Sequence, residues 1–272
     1  MGYDQFFALD ILWMLINGRN DKLICRNSDE IKPAPPEKIQ IKQPFPRGTP
    51  ETHGIAPEIF EKLLSELEQY PQVDLHHMLV VKDGKMIWEY SRKPYRANIW
   101  HATYSVCKSI TGLAIGMLHD EGKIGLDQSV TDFFPTGEIL RPSIRMRRIT
   151  IRHLLTMTSD VDFHEAGVYT GKNWARGLLN SAVQSKPGSK FDYNSLNTYM
   201  LSAILTHITG ESLSDYLKPR LWEPLGIQDF YWGAGPSGVT KGGWGLWICP
   251  EDLAKIGQLV LQKGIWNGKQ LI

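Results

Sequence analysis

The sequence predicts an α+β protein in which a small antiparallel sheet precedes a long, mainly helical region. Three observations predict it. Met78-Leu79-Val80-Val81 and Met86-Ile87-Trp88-Glu89-Tyr90 are β-prone runs joined through Lys82-Asp83-Gly84-Lys85, and Asp-Gly between such runs signals a hairpin. From Ser105 onward the pattern turns helical: Ile110, Leu113, Ala114, Met117 and Leu118 form one apolar stripe, with Gly122 as its stop. The composition is globular, 42% hydrophobic and 22% charged over 272 residues, long enough for one large domain or a domain with a subdomain.

The remaining elements follow in chain order. Phe6 to Ile16 is mostly apolar, interrupted by Asp10 and too short to span a bilayer. It predicts a helix docked on the body of the protein or on a second copy; a membrane-surface anchor is the weaker reading, for want of flanking positive charge. Lys32 to Pro50, with Pro33-Ala34-Pro35-Pro36, predicts an extended linker. Ile59, Leu63, Leu64 and Leu67 have helical spacing. Ile151 to Met157 reads as a short buried helix, and Thr198 to Ile208 as a helix ended by Gly210. Ser212 caps another through Trp222, and Pro250 to Lys263 is a last one, with proline at its start and Gly264 after it. The expected organisation is an N-terminal helix and proline-rich linker over residues 1–43. A domain over 44–272 follows, its sheet portion at 44–100 and its mainly helical portion at 101–272.

Composition also excludes. A formal net charge of +1 and the lack of a basic stripe argue against nucleic acid as a partner. The densest basic run, Arg145-Met146-Arg147-Arg148, reads as a solvated connector. Cys25, Cys107 and Cys249 are scattered and odd in number, which argues against a disulfide scaffold and for a reducing, cytoplasmic setting. No cysteine–histidine cluster has metal-ligand spacing. The amino terminus lacks a basic n-region and a small-residue cleavage site, arguing against a signal peptide, and no transmembrane segment is expected.

The chemistry centres on Tyr104-Ser105-Val106-Cys107-Lys108-Ser109 at the entry to the predicted helix. A serine hydroxyl needs a base within hydrogen-bond reach to act as a nucleophile, and residues three apart on a helix share a face, so Lys108 projects beside Ser105. Cys107 reads as a small buried residue of that helix rather than a second nucleophile. Phe191-Asp192-Tyr193-Asn194-Ser195 follows Pro187-Gly188 and leads into the Thr198 helix, placing a phenol and two small polar side chains at a helix amino end.

Ser105, Lys108 and Tyr193 together resemble the serine β-lactamase and penicillin-binding-protein superfamily. The nearest likeness is to its class C β-lactamase-related branch of esterases and amide hydrolases. The resemblance runs from about Gly48 to Ile272, through Ile149-Thr150-Ile151-Arg152-His153-Leu154-Leu155-Thr156-Met157-Thr158-Ser159, Lys186-Pro187-Gly188-Ser189-Lys190-Phe191, Trp222-Glu223-Pro224-Leu225-Gly226-Ile227 and Gly243-Trp244-Gly245-Leu246. The 88 residues from Ser105 to Tyr193 also suit that branch. The resemblance implies an antiparallel sheet flanked by helices plus a helical subdomain, with no cofactor or metal. It implies hydrolysis of a small-molecule ester or amide through an acyl-enzyme on Ser105, with Lys108 buried beneath the serine and Tyr193 relaying protons. Asn194 and Ser195 become the candidate substrate-binding residues. Class C enzymes use Tyr-x-Asn, whereas Tyr193-Asn194-Ser195 is the form of the esterase and amide-hydrolase relatives, which disfavours β-lactam hydrolysis.

The family's third motif, Lys-Thr-Gly or His-x-Gly on a carboxy-terminal strand, is not found. Lys241-Gly242-Gly243 precedes the Pro250 helix and sits in the wrong company for it. The expectation is therefore a chain short of its C-terminal strands, which supply one oxyanion donor and would pair with the hairpin. Loss of such a donor costs roughly a hundred- to a thousandfold in turnover. A homo-oligomer or a complementing C-terminal chain stays open as a partner. The rival reading is an inactive, non-catalytic family member that binds ligands or proteins. His153 reads as a satisfied core histidine, while His76, His77, His101 and His164 receive no role. Trp174, Trp232, Trp244 and Trp247 are as well suited to packing as to walling a pocket.

Overall fold

The structure, a computed structural model, describes residues 36–135, 139, 142–163 and 173–272. The Phe6–Ile16 helix, Cys25 and His164 lie outside them. Helix α1 (Glu58–Leu67) opens with Glu58 and Glu61 in its first turn, where the helix dipole favours acidic groups. The helical spacing of Ile59, Leu63, Leu64 and Leu67 falls in this helix; Ile59 is 57% exposed, and Phe60 is the buried residue. Phe60 stacks on Trp88 with ring centroids 4.6 Å apart, so an aromatic on the hairpin selects the buried face.

The hairpin forms from β1 (His77–Lys82) and β2 (Lys85–Ser91), antiparallel, with a register shift between Val80 and Val81. Asp83 and Gly84 have φ of 50° and 72°, and two successive left-handed residues let a two-residue turn follow the strands' twist. Among the described residues β1 pairs with β2 alone. The other side of β2 meets the strap before α1: Met86 N–H donates to the Pro46 carbonyl at 2.9 Å, and Gly48 N–H donates back to Met86 at 3.0 Å. Residues 39–48 are thus more than a linker. Ile39 and Phe45 are buried, and Ile39 N–H donates to the Asn98 carbonyl at 3.0 Å.

Strand β3 (His101–Ala102) leads into a 3₁₀ turn, Tyr104–Val106, and then α2 (Cys107–Asp120). Ile110, Ala114, Met117 and Leu118 are buried as expected, and the helix ends before Gly122. A capping box defines the start of helix α3 (Ile151–Leu155): Thr150 accepts from His153 N–H while His153 Nδ1 accepts from Thr150 N–H at 3.1 Å. Helix α4 (Trp174–Leu179) is capped by Asn173. Helix α5 (Ser195–Thr209) begins three residues before its expected start and is buried from Ser195 to Leu205. Helix α6 (Leu213–Leu217), capped by Ser212, runs on into a wider turn through Trp222. Helices α2, α3, α4 and α6 all pack on α5, which explains its apolar character on every side.

After β4 (Phe230–Trp232), strand β5 (Leu246–Ile248) pairs antiparallel with β3, His101 opposite Ile248 and Ala102 opposite Trp247. Helix α7 (Pro250–Leu261) starts on proline, with Glu251 and Asp252 in its first turn. A short hairpin of Ile265–Trp266 and Lys269–Gln270 follows. The chain divides into two compact units. One holds Thr103–Lys218 and Tyr231–Leu246; the other holds the described residues up to Ala102, Pro219–Phe230 and Trp247–Ile272.

Candidate active site

Ser105, Lys108 and Tyr193 meet within the first unit. The Lys108 ammonium donates to Ser105 Oγ at 2.9 Å, and the Tyr193 hydroxyl reaches the same oxygen at 2.7 Å. Lys108 Nζ lies 5.0 Å from the centre of the Tyr193 ring. Helical spacing brings lysine under serine; the cap of α5 brings the phenol. Asn194 is that cap. Its Oδ1 accepts from Leu196 N–H at 2.9 Å, while its Nδ2 donates to the carbonyls of Phe163 at 2.9 Å and Val161 at 3.3 Å. The side chain is buried and its bonds are spent inside the fold, so it positions its neighbour Tyr193 and does not face a substrate as the sequence reading supposed. Ser195, also buried, is the first residue of α5.

The backbone ahead of the nucleophile is constrained. Tyr104 has φ of 45°, a left-handed conformation costly for an aromatic residue. Its carbonyl accepts from Cys107 Sγ at 3.0 Å. Burial pushes the Cys107 thiol up to about 12 despite the charge of Lys108, which fits a packing residue.

Sequence reasoning missed the segment that holds the lysine. Lys108 Nζ donates to the Gly243 carbonyl at 2.6 Å, and Thr111 Oγ1 donates to the Gly242 carbonyl at 2.8 Å. The Lys241-Gly242-Gly243 run therefore belongs to the site's foundation. A Cβ at Gly243 would sit 2.7 Å from the Ser195 carbonyl oxygen, so only glycine lets this carbonyl approach both α5 and the lysine. The signal available in the sequence was the glycine pair itself.

Lys108 is half-buried rather than sealed beneath the serine. Burial pushes the Tyr193 phenol up, but its hydrogen bonding with Lys108 and Ser105, the Lys108 charge and the Ser195 hydroxyl outweigh it. The phenol ends below its usual value of 10.0.

The other singled-out residues fall elsewhere. Trp174 stacks on Trp244 at 5.8 Å, and Trp232 Nε1 donates to the Trp244 carbonyl at 3.1 Å. Trp174 and Trp232 are buried packing residues, while Trp244 is half-buried beside Gly243; Trp247 is a half-buried residue of the second unit. His76, His77 and His101 converge in the second unit, His76 Nδ1 lying 3.2 Å from His101 Nε2. Burial, then the neighbouring histidines, pushes His77 down to about 4. Among the described residues no cluster of three or more His, Cys, Asp or Glu is placed to hold a metal. Among them, too, no helix is long and apolar enough to cross a membrane.

A mixed fold of helices and antiparallel strands, with serine, lysine and phenol gathered at a helix amino end, defines a protein of the serine β-lactamase and penicillin-binding-protein superfamily. The chain belongs to the Beta-lactamase family, whose model matches residues 67–270. It is similar to the 6-aminohexanoate-dimer hydrolase of Paenarthrobacter ureafaciens, 27% identical over 210 residues, covering 71% of this chain and 54% of that protein. It is also similar to Protein flp of Staphylococcus aureus, 28% identical over 163 residues, covering 54% of this chain and 32% of that one. The chain thus spans about a third to about half the length of these relatives. Among solved structures, FmtA from Staphylococcus aureus shares the fold with a TM-score of 0.64 at 16% identity, covering 89% of this chain and 72% of FmtA.

Proposed function

We propose that the chain is a serine hydrolase that cleaves an ester or amide through an acyl-enzyme on Ser105. The observation that supports this reading is the convergence of Lys108 Nζ and Tyr193 Oη on one serine oxygen, at 2.9 and 2.7 Å. Once the phenol has ionised, the short contact to Ser105 carries the serine proton to the phenolate as Oγ attacks the acyl carbon. The Lys108 charge favours that phenolate. Negative charge on the acyl oxygen is met by the Ser105 N–H at the helix entry. The protonated phenol then donates to the departing alcohol or amine. In the second half a water gives its proton to Tyr193 and attacks the acyl carbon, and the proton returns to Ser105 Oγ.

Asn194 is committed to the cap, and Ser195, equally buried, acts on the site through the Tyr193 phenol. A relative that bears the name of a hydrolase supports the same direction. Two buried free thiols, Cys107 and Cys249, suit a reducing cytoplasm. The test is labelling with a fluorophosphonate followed by peptide mapping. Label on Ser105, lost in Ser105→Ala, is the expected result; an unlabelled wild-type chain, or label that survives the substitution, sinks the reading.

A further inference from the structure

The described part of the first unit leaves six large apolar side chains exposed: Tyr104, Val106, Ile144, Leu155, Phe191 and Tyr193. Isolated exposed apolar residues need no explanation, whereas clustering does. Four of the six belong to the two segments that meet at Ser105. Tyr104 and Val106 flank Ser105 in the chain, and Phe191 and Tyr193 belong to the segment whose phenol touches Ser105 Oγ. Tyr104 is 75% exposed and Phe191 65%, values that neither residue needs for packing. Trp244, half-buried next to the Gly243 carbonyl that holds Lys108, adds indole surface to the same neighbourhood.

A donor with a hydrocarbon or aromatic group gains by covering these side chains.

We propose that Tyr104, Val106 and Phe191 form an apolar rim that selects acyl donors with a long hydrocarbon or aromatic group. This rests on Ser105 being the nucleophile, as proposed above, and the test separates the two claims. Ethyl- and octyl-chain fluorophosphonates of equal warhead are reacted with the full chain, and the rate of Ser105 labelling is followed for each by mass spectrometry. The expected result is an octyl rate at least about tenfold above the ethyl rate, since each buried methylene adds appreciably to binding. Phe191→Ser and Tyr104→Ser should bring that ratio toward one, whereas Ile144→Ser, removing an exposed apolar residue outside the rim, should keep it. Labelling of Ser105 at equal rates by both probes overturns the rim and leaves the nucleophile intact. So does a ratio that survives both rim substitutions. Failure of both probes to label Ser105 overturns the nucleophile, and the rim with it.

Discussion

Two lysines in this chain sit three residues after a polar partner near the start of a helix, in opposite surroundings. Lys108 follows Ser105 at the entry to α2; Lys255 follows Asp252 in α7. Each also donates to a distant backbone carbonyl, Lys108 to Gly243 at 2.6 Å and Lys255 to Lys42 at 2.6 Å. Lys255 is wholly buried and bonds the Asp252 carboxylate at 2.7 Å. Beside it, buried Glu251 accepts from Phe45 N–H and the Arg47 guanidinium, both at 2.8 Å. That lysine is a rivet fastening the strap to α7. Lys108 shares the spacing and the carbonyl, but its partner is a hydroxyl, it is half-buried, and a phenol stands beside it. The spacing makes a lysine site; the partner and the access of solvent decide between anchoring and chemistry.

The largest effect that would sharpen this contrast is in Lys108→Met. Removing the charge that favours the Tyr193 phenolate should slow fluorophosphonate labelling of Ser105 about 10²- to 10⁴-fold, the range set by losing an acid–base partner, with little change in urea stability. Lys255→Met should do the reverse. Orphaning the buried Asp252 should cost about 3–5 kcal/mol of stability in urea unfolding, and replacing both partners by apolar residues should recover most of it. The labelling rate of the folded Lys255→Met protein should match wild type. A catalytic effect at Lys255, or a purely structural one at Lys108, would erase the distinction. The smallest effect is expected for Gly243→Ala. Its Cβ must displace the Ser195 carbonyl 2.7 Å away, shifting the Lys108 acceptor and slowing labelling by about ten- to a hundredfold, as misplacement near 1 Å does.

Local signals were the legible ones. Asp83-Gly84 announced its hairpin because two neighbouring residues determine the turn. Ser105 and Lys108 announced themselves because one helical turn relates them. What stayed hidden was set by residues far apart in the chain. Phe60 is the buried residue of α1 because Trp88 on the hairpin supplies the stacking partner. Gly243 lies 135 residues from Lys108, and no local pattern marks a carbonyl as the acceptor of a particular ammonium. Asn194 looked like a substrate contact because its polarity was readable and its direction was not. The orphan N–H groups of α5 and two loop carbonyls turned it inward. The start of α5 at Ser195 has the same cause.

The central claim, that Tyr193 takes the proton of Ser105 with its phenol held below the usual value by Lys108, has one direct test. The rate of Ser105 labelling by a fluorophosphonate is measured against pH for wild type and Tyr193→Phe, corrected for reagent hydrolysis. Because the phenolate is the active form, the wild-type rate should rise with pH and level off below pH 10.0, the ordinary phenol value. Tyr193→Phe should be slow and should lose that rise. A substituted protein that keeps both the rate and the rise would contradict the account.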